Sequence, residues 1–178
     1  MAIEVEKRSI VTRKKYEGMR DQLLALGAED LGRKDTETIF YVTDTAQLKV
    51  QSSSPQNEAK IAWKSGGLDG ASAREEIEVR INFDDIASAE ALIDRLMRGA
   101  KKVPTSQKRH DYRIGELTVA VKYSEHWGYH IEIDEVVEDD KQVAGALQHI
   151  QQLADKLGVT LLTSAEEKAL TDKMLATL

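Results

Sequence analysis

The sequence predicts an α+β fold built mainly from antiparallel strands that curl into a curved sheet or a closed barrel. Two observations carry this. About eight short segments alternate apolar and polar residues with the period of a strand, separated by turn-like sequence. Helical spacing is confined to a stretch after the first strand, a stretch after the fifth, and the C-terminal part of the chain.

The first strand is read over Ala2 to Thr12, where Ile3 and Val5 alternate with Glu4, Glu6 and Arg8. Tyr16, Met19, Leu23 and Leu24 then fall at helical spacing, and Gly27 suits the stop. Thr36 to Thr43 is rich in β-formers. Gln47 to Ser52 and Lys60 to Trp63 read as short strands around SSSPQN, and SGGLDGAS (65–72) as a flexible hairpin connection. In Arg74 to Phe83, Ile77, Val79 and Ile81 alternate with Glu76, Glu78 and Arg80. A helix follows from Asp85 to Arg98, closed by Gly99. Strands are expected again at 107–113, 116–124 and 129–137. Val143, Leu147, Ile150 and Leu157 form an apolar helical stripe ending at Gly158, and Ser164 with Glu167 reads as a capping box for a last short helix.

The chain has 178 residues, 41% hydrophobic and 31% charged, with no cysteine. That length suits one domain with a substantial core. The absence of cysteine excludes disulfides, thiolate metal sites and thiol catalysis. A net charge of −6 argues against sequence-independent nucleic-acid binding, which depends on neutralising phosphates. It leaves room for a local basic cavity. No apolar run spans a bilayer and no signal peptide is read, so the expected location is cytoplasmic.

Three acidic pairs stand out: Glu4/Glu6, Glu76/Glu78 and Glu132/Asp134. On a strand, residues i and i+2 share a face, so each pair aims both carboxylates at one place. Arg8, Arg74 and Arg80 share that parity. A solvated outer face accounts for any one such strand. Repetition of the same acidic pair on three strands does not fit that reading as well, because same-face carboxylates repel unless cations or a metal compensate them. Carboxylates with cations suit Mg²⁺ or Mn²⁺ together with a polyanion. Other candidates are bland: His126 and His130 lack a third nitrogen ligand, SGGLDG lacks the Lys-Ser/Thr of a phosphate-binding loop, no GxSxG is present, and Glu138-Asp139-Asp140 reads as helix N-terminal charge.

Together these segments resemble the CYTH superfamily, the triphosphate tunnel metalloenzymes. IEVEKR looks like that family's N-terminal Glu-x-Glu-x-Lys signature. LKVQ (48–51), KIAWK (60–64), REEIEV (74–79) and WGYHIEID (127–134) resemble its later strands in the same order. The resemblance covers residues 1–160, leaving 161–178 as a helical extension of the single domain. It implies an eight-stranded tunnel-like β-barrel with helices packed outside and Mg²⁺ or Mn²⁺ as cofactor. It further implies Glu4, Glu6, Glu132 and Asp134 on the metal side, with Glu76 and Glu78 lining the same tunnel as further metal candidates. Arg8, Lys49, Lys60, Lys64, Arg74, Arg109 and Lys122 are the implied phosphate-binding cations, with Lys64 or Lys60 assisting catalysis. The implied activity is hydrolysis of a small-molecule triphosphate. The alternatives are an adenylate cyclase making cyclic AMP and pyrophosphate, and a non-catalytic polyphosphate binder. The protein is expected to be a monomer or homodimer that binds neither nucleic acid nor membrane. Four positions depart from the family pattern: Arg8 stands for a lysine, Gln51 for an arginine, Lys122 for an aspartate, and Gln107 for a basic residue.

Overall fold

The computed structural model describes residues 2–43, 45–66 and 72–176. Its elements are β1 (Ile3–Ile10), α1 (Arg13–Ala25), β2 (Glu29–Arg33), β3 (Asp35–Val42), β4 (Ala46–Ser54), β5 (Glu58–Ser65), β6 (Ala73–Ile81), α2 (Ile86–Leu96), β7 (Lys101–Ile114), β8 (Leu117–Ser124), β9 (Gly128–Val137), α3 (Asp140–Leu157) and α4 (Ser164–Ala176). All strand pairings among the described residues are antiparallel. The sheet runs β7-β3-β4-β5-β6-β1-β9-β8 and closes through β8 on β7. β2 lies alongside Tyr112 and its neighbours in β7, next to the stretch of β7 that pairs with β3, so β2 and β3 act as one stave of an eight-stave barrel.

Closure explains the charge pattern. A barrel has two faces, and period-2 alternation assigns every second residue to the lumen. In β1, Val5 points outward under the helices while Glu4, Glu6 and Arg8 face the lumen. The main core therefore lies outside the barrel. Val5, Val119, Val121, Ile131 and Ile133 pack beneath Met19 and Leu23 of α1 and Ile150, Leu153 and Leu157 of α3. Each such aliphatic side chain contributes about 1.5–3 kcal/mol when fully buried. A smaller cluster of Tyr41, Val50 and Ile93 seats α2 against β3 and β4, and the Tyr41 hydroxyl donates to Asp94 at 2.8 Å.

The helix ends follow local chemistry. Thr12 caps α1 by accepting from the Lys15 amide at 3.2 Å, and Gly27 takes φ +84° beyond its last turn. Asp139 and Gln142 form a reciprocal capping box on α3, and Gly158 ends it in the left-handed region.

Three expectations need correction, and a fourth lies partly outside the described residues. β2 was not anticipated, since EDLGR lacks β-branched residues and its pairing depends wholly on β7. β7 begins at Lys101 rather than 107, and Pro104 hides this. Proline is tolerated there because that half of β7 pairs on one edge only, with β3. The cap of α4 is Thr163 with Glu166, one residue before the pair read from sequence: the Glu166 amide donates to Thr163 Oγ1 at 3.2 Å and the Thr163 amide to Glu166 Oε2 at 2.8 Å. This releases Glu167 from capping. The connection expected at 65–72 falls for residues 67–71 outside the described residues.

Candidate functional site

The lumen holds a cavity of about 320 Å³. Alternation brings most of the residues singled out in the sequence onto its wall. β1 supplies Glu4, Glu6 and Arg8, β4 supplies Lys49, and β5 supplies Lys60 and Lys64. β6 supplies Arg74 and Glu78, β7 Arg109, β8 Lys122, and β9 Glu132 and Asp134. Glu76 belongs to the same network through its lysine partners.

Neighbouring strands interleave opposite charges. Lys64 Nζ donates to Glu4 and lies 3.2 Å from Glu76 and 3.6 Å from Glu6. Lys49 Nζ reaches Glu76 at 3.0 Å, and Lys60 Nζ pairs with Glu78. Across the lumen, Arg8 is enclosed by three carboxylates: Glu6 at 2.6 Å, Glu132 at 2.7 Å and Glu167 at 3.3 Å. Lys122 Nζ lies 2.5 Å from Glu132, and Arg109 Nε donates to Asp111 at 2.6 Å. Gln51 makes no ion pair; its amide donates to Thr38 Oγ1 at 3.0 Å. Asp134 alone among these carboxylates has no ion-pair partner among the described residues.

This arrangement sets the protonation states. Burial alone would raise Glu132, but Lys122, Arg8 and Arg109 hold it well below the usual carboxylate range. Burial pushes Asp134 the other way, and the negative charges of Glu132, Glu4 and Glu6 add to it. Arg109 only partly offsets them, and the group rises to about 8. Lys64 is stabilised as a cation: burial disfavours its charge, but Glu6, Glu4 and Glu76 overcome that. Burial and the nearby Lys49 charge lower Lys60 despite Glu78. Burial and the Arg109 and Arg8 charges lower Lys122 despite Glu132. Burial, reinforced by Lys122, depresses His130 to about 4 and keeps its ring neutral, with Nδ1 3.0 Å from the Gly128 carbonyl. Of the two lysines read as catalytic, Lys60 therefore loses its proton more readily, and Lys64 serves as a fixed charge.

Several wall residues escaped the sequence reading. Helix α4 contributes Glu167, Thr171 and Met174 to the cavity, and the β8–β9 turn contributes Trp127, whose ring centroid lies 5.6 Å from the Arg8 guanidinium carbon. Glu167 is only 4% exposed, and burial raises its carboxyl against the pull of Arg8. Its spacing with Thr171 and Met174, at i, i+4 and i+7, was the available signal, but a stripe containing Glu and Thr does not read as a buried face. No cluster of three or more His, Asp or Glu side chains among the described residues forms a ready-made metal cage.

The CYTH domain family model matches residues 2–167. Among solved structures, a Pyrococcus horikoshii protein superposes with TM-score 0.75 at 19% identity, covering 88% of this chain and 91% of that one. A proposed adenylate cyclase from Vibrio parahaemolyticus gives TM-score 0.71 at 17% identity, covering 89% and 90%. A proposed adenylyl cyclase from Hippeastrum with a dominant triphosphatase activity gives 0.61 at 17%, covering 90% of each chain. At these identities the likeness is one of fold. No curated protein matches the sequence. No described helix is long and apolar enough to cross a membrane.

Proposed function

The chain belongs to the CYTH domain family, and from that premise we propose that it is a metal-dependent triphosphatase. The substrate class is a small-molecule triphosphate: inorganic, thiamine or nucleoside. The observation that carries this reading is the closed lumen in which a bank of cations faces acidic side chains, with Lys49, Lys60, Lys64, Arg74 and Arg109 set among Glu4, Glu6, Glu132 and Asp134.

The donor chemistry fits Mg²⁺ or Mn²⁺. Every candidate ligand is a carboxylate, the hard oxygen donor these ions take, and Mg²⁺ needs only one or two of them besides water and phosphate. Burial, with repulsion from Glu132, Glu4 and Glu6, keeps Asp134 protonated, and a divalent cation relieves that repulsion. Glu4, Glu6, Glu132 and Asp134 would hold the ion, with Glu4 giving up its contact with Lys64 and Glu6 and Glu132 theirs with Arg8. Glu76 and Glu78, paired with lysines, hold the cation bank in place. When bound, the ion would neutralise charge on the phosphate oxygens and on the departing diphosphate.

The protein's own residues do the rest by position and fixed charge. Arg8, Lys49, Lys64, Arg74 and Arg109 bind the phosphate chain. A water oxygen forms the new bond to the terminal phosphorus as the bridging P–O bond breaks, and the bridging oxygen leaves with the diphosphate. The water proton goes to a basic group, for which Lys60, lowered by burial and the Lys49 charge, is the candidate. Arg8 does not release a proton near neutrality and contributes charge only. Hydrolysis is favoured over cyclisation because it needs a site for the phosphate chain alone, without in-line placement of a ribose hydroxyl.

The test is phosphorus NMR of the purified protein with Mg²⁺ or Mn²⁺ and, in parallel, tripolyphosphate, thiamine triphosphate and ATP. Orthophosphate released with a diphosphate product, and lost in the Glu4→Gln/Glu6→Gln double variant, is the expected result. Cyclic AMP with pyrophosphate makes the protein a cyclase instead. Binding without turnover makes it a polyphosphate carrier.

A further inference from the structure

Three carboxylates take up most of the N–H donors of the Arg8 guanidinium. The three are not equivalent. Glu6 and Glu132 sit on barrel strands, at 2.6 and 2.7 Å from the guanidinium. Glu167 is at 3.3 Å, on a separate helix, and its other oxygen Oε1 is buried without a donor at bonding distance. The helix itself is lightly held. Among the described residues α4 buries Glu167 and Thr171, with Leu170 and Met174 half-buried, so polar side chains make up half of the stripe it turns to the barrel. Just before it, the Leu162 amide donates to the Arg8 carbonyl at 2.7 Å and ties the connection to β1.

We propose that Glu167 is an internal competitor for the polyanion site: it occupies Arg8 in place of a phosphate oxygen, and α4 leaves the cavity wall when an oligophosphate takes that position. The inference rests on the triphosphate reading above and adds a regulatory element to it. Because ligand and helix compete for one cation, the coupling is reciprocal: whatever stabilises docked α4 weakens the ligand, and the ligand loosens α4. Glu167→Gln removes the competing charge at nearly constant volume.

The experiment is isothermal titration with tripolyphosphate, on wild-type protein and Glu167→Gln, together with hydrogen exchange of the amides of 164–176 in wild-type protein with and without tripolyphosphate. The variant should bind about tenfold more tightly, as expected for removing one partly buried charged contact from the free state. Exchange in α4 should accelerate when the ligand saturates the wild type, a readout that needs no variant. Equal or weaker binding by Glu167→Gln, or α4 amides unchanged or better protected with ligand, overturns the competition while leaving the triphosphate reading standing. If neither protein binds tripolyphosphate, both fall.

Discussion

Asp134 gives the sharpest test of the charged lumen, because the site is arranged at a cost to the metal-free protein. Its carboxyl rises to about 8 in the folded state, against about 3.9 for an unfolded aspartate. A raised acid binds its proton more tightly when folded. Its contribution is therefore fully present below about pH 4, and stability is lost progressively as the pH climbs from about 4 to about 8. At 1.36 kcal/mol per unit, the four-unit difference sets an upper bound of about 5 kcal/mol at pH 8. Relaxation and water entry in a half-buried site reduce this, and about 2 kcal/mol is the working expectation. Asp134→Asn removes the ionisable group and keeps the shape. In metal-free buffer, the variant should match the wild type at pH 4 and melt higher at pH 8 by about 4–8 °C for a chain of this size. Differential scanning calorimetry across pH 4–8 reads this directly. Added Mg²⁺ should narrow the gap by stabilising the wild type only. A stability difference that is flat across that range, or that shrinks as the pH rises, refutes the reasoning.

Three further outcomes follow from single contacts. Lys64→Met removes the cation shared by Glu4, Glu6 and Glu76 and leaves Glu4 without an ion-pair partner among the described residues, so it should cost about 3 kcal/mol in urea unfolding, the low end for breaking a buried ion pair, and abolish turnover. Tyr41→Phe deletes the bond to Asp94 that ties β3 to α2 and should cost about 1 kcal/mol by the same assay, with activity retained. Gly158→Ala places a Cβ at φ +61°, 3.7 Å from Lys15 Nζ; the space is adequate but the backbone is strained, so a loss of about 1 kcal/mol is expected in thermal melts.

Strand parity made much of this protein legible before any coordinates. Glu4, Glu6 and Arg8 had to share a face because side chains alternate along a strand, and the same holds for Glu76 with Glu78 and for Glu132 with Asp134. The apolar stripes of α1 and α3, the stop at Gly158 and the cap at Asp139 also follow from local spacing and local hydrogen bonding. β2 could not be read this way, since Glu29–Arg33 is a strand only because β7 offers it an edge. The inner-wall role of Glu167 was equally hidden, because a glutamate in the first turn of a helix reads as a capping group until the tertiary fold sets it beside Arg8. Local sequence thus determined which charges travel together on each strand. Closure of the barrel decided which cation meets which carboxylate, and so which groups hold their charge: Asp134 keeps its proton and Glu132, two residues away on the same face, loses it. Coulomb energies depend on distances across the lumen between strands far apart in the chain, and those distances exist only once the barrel has closed.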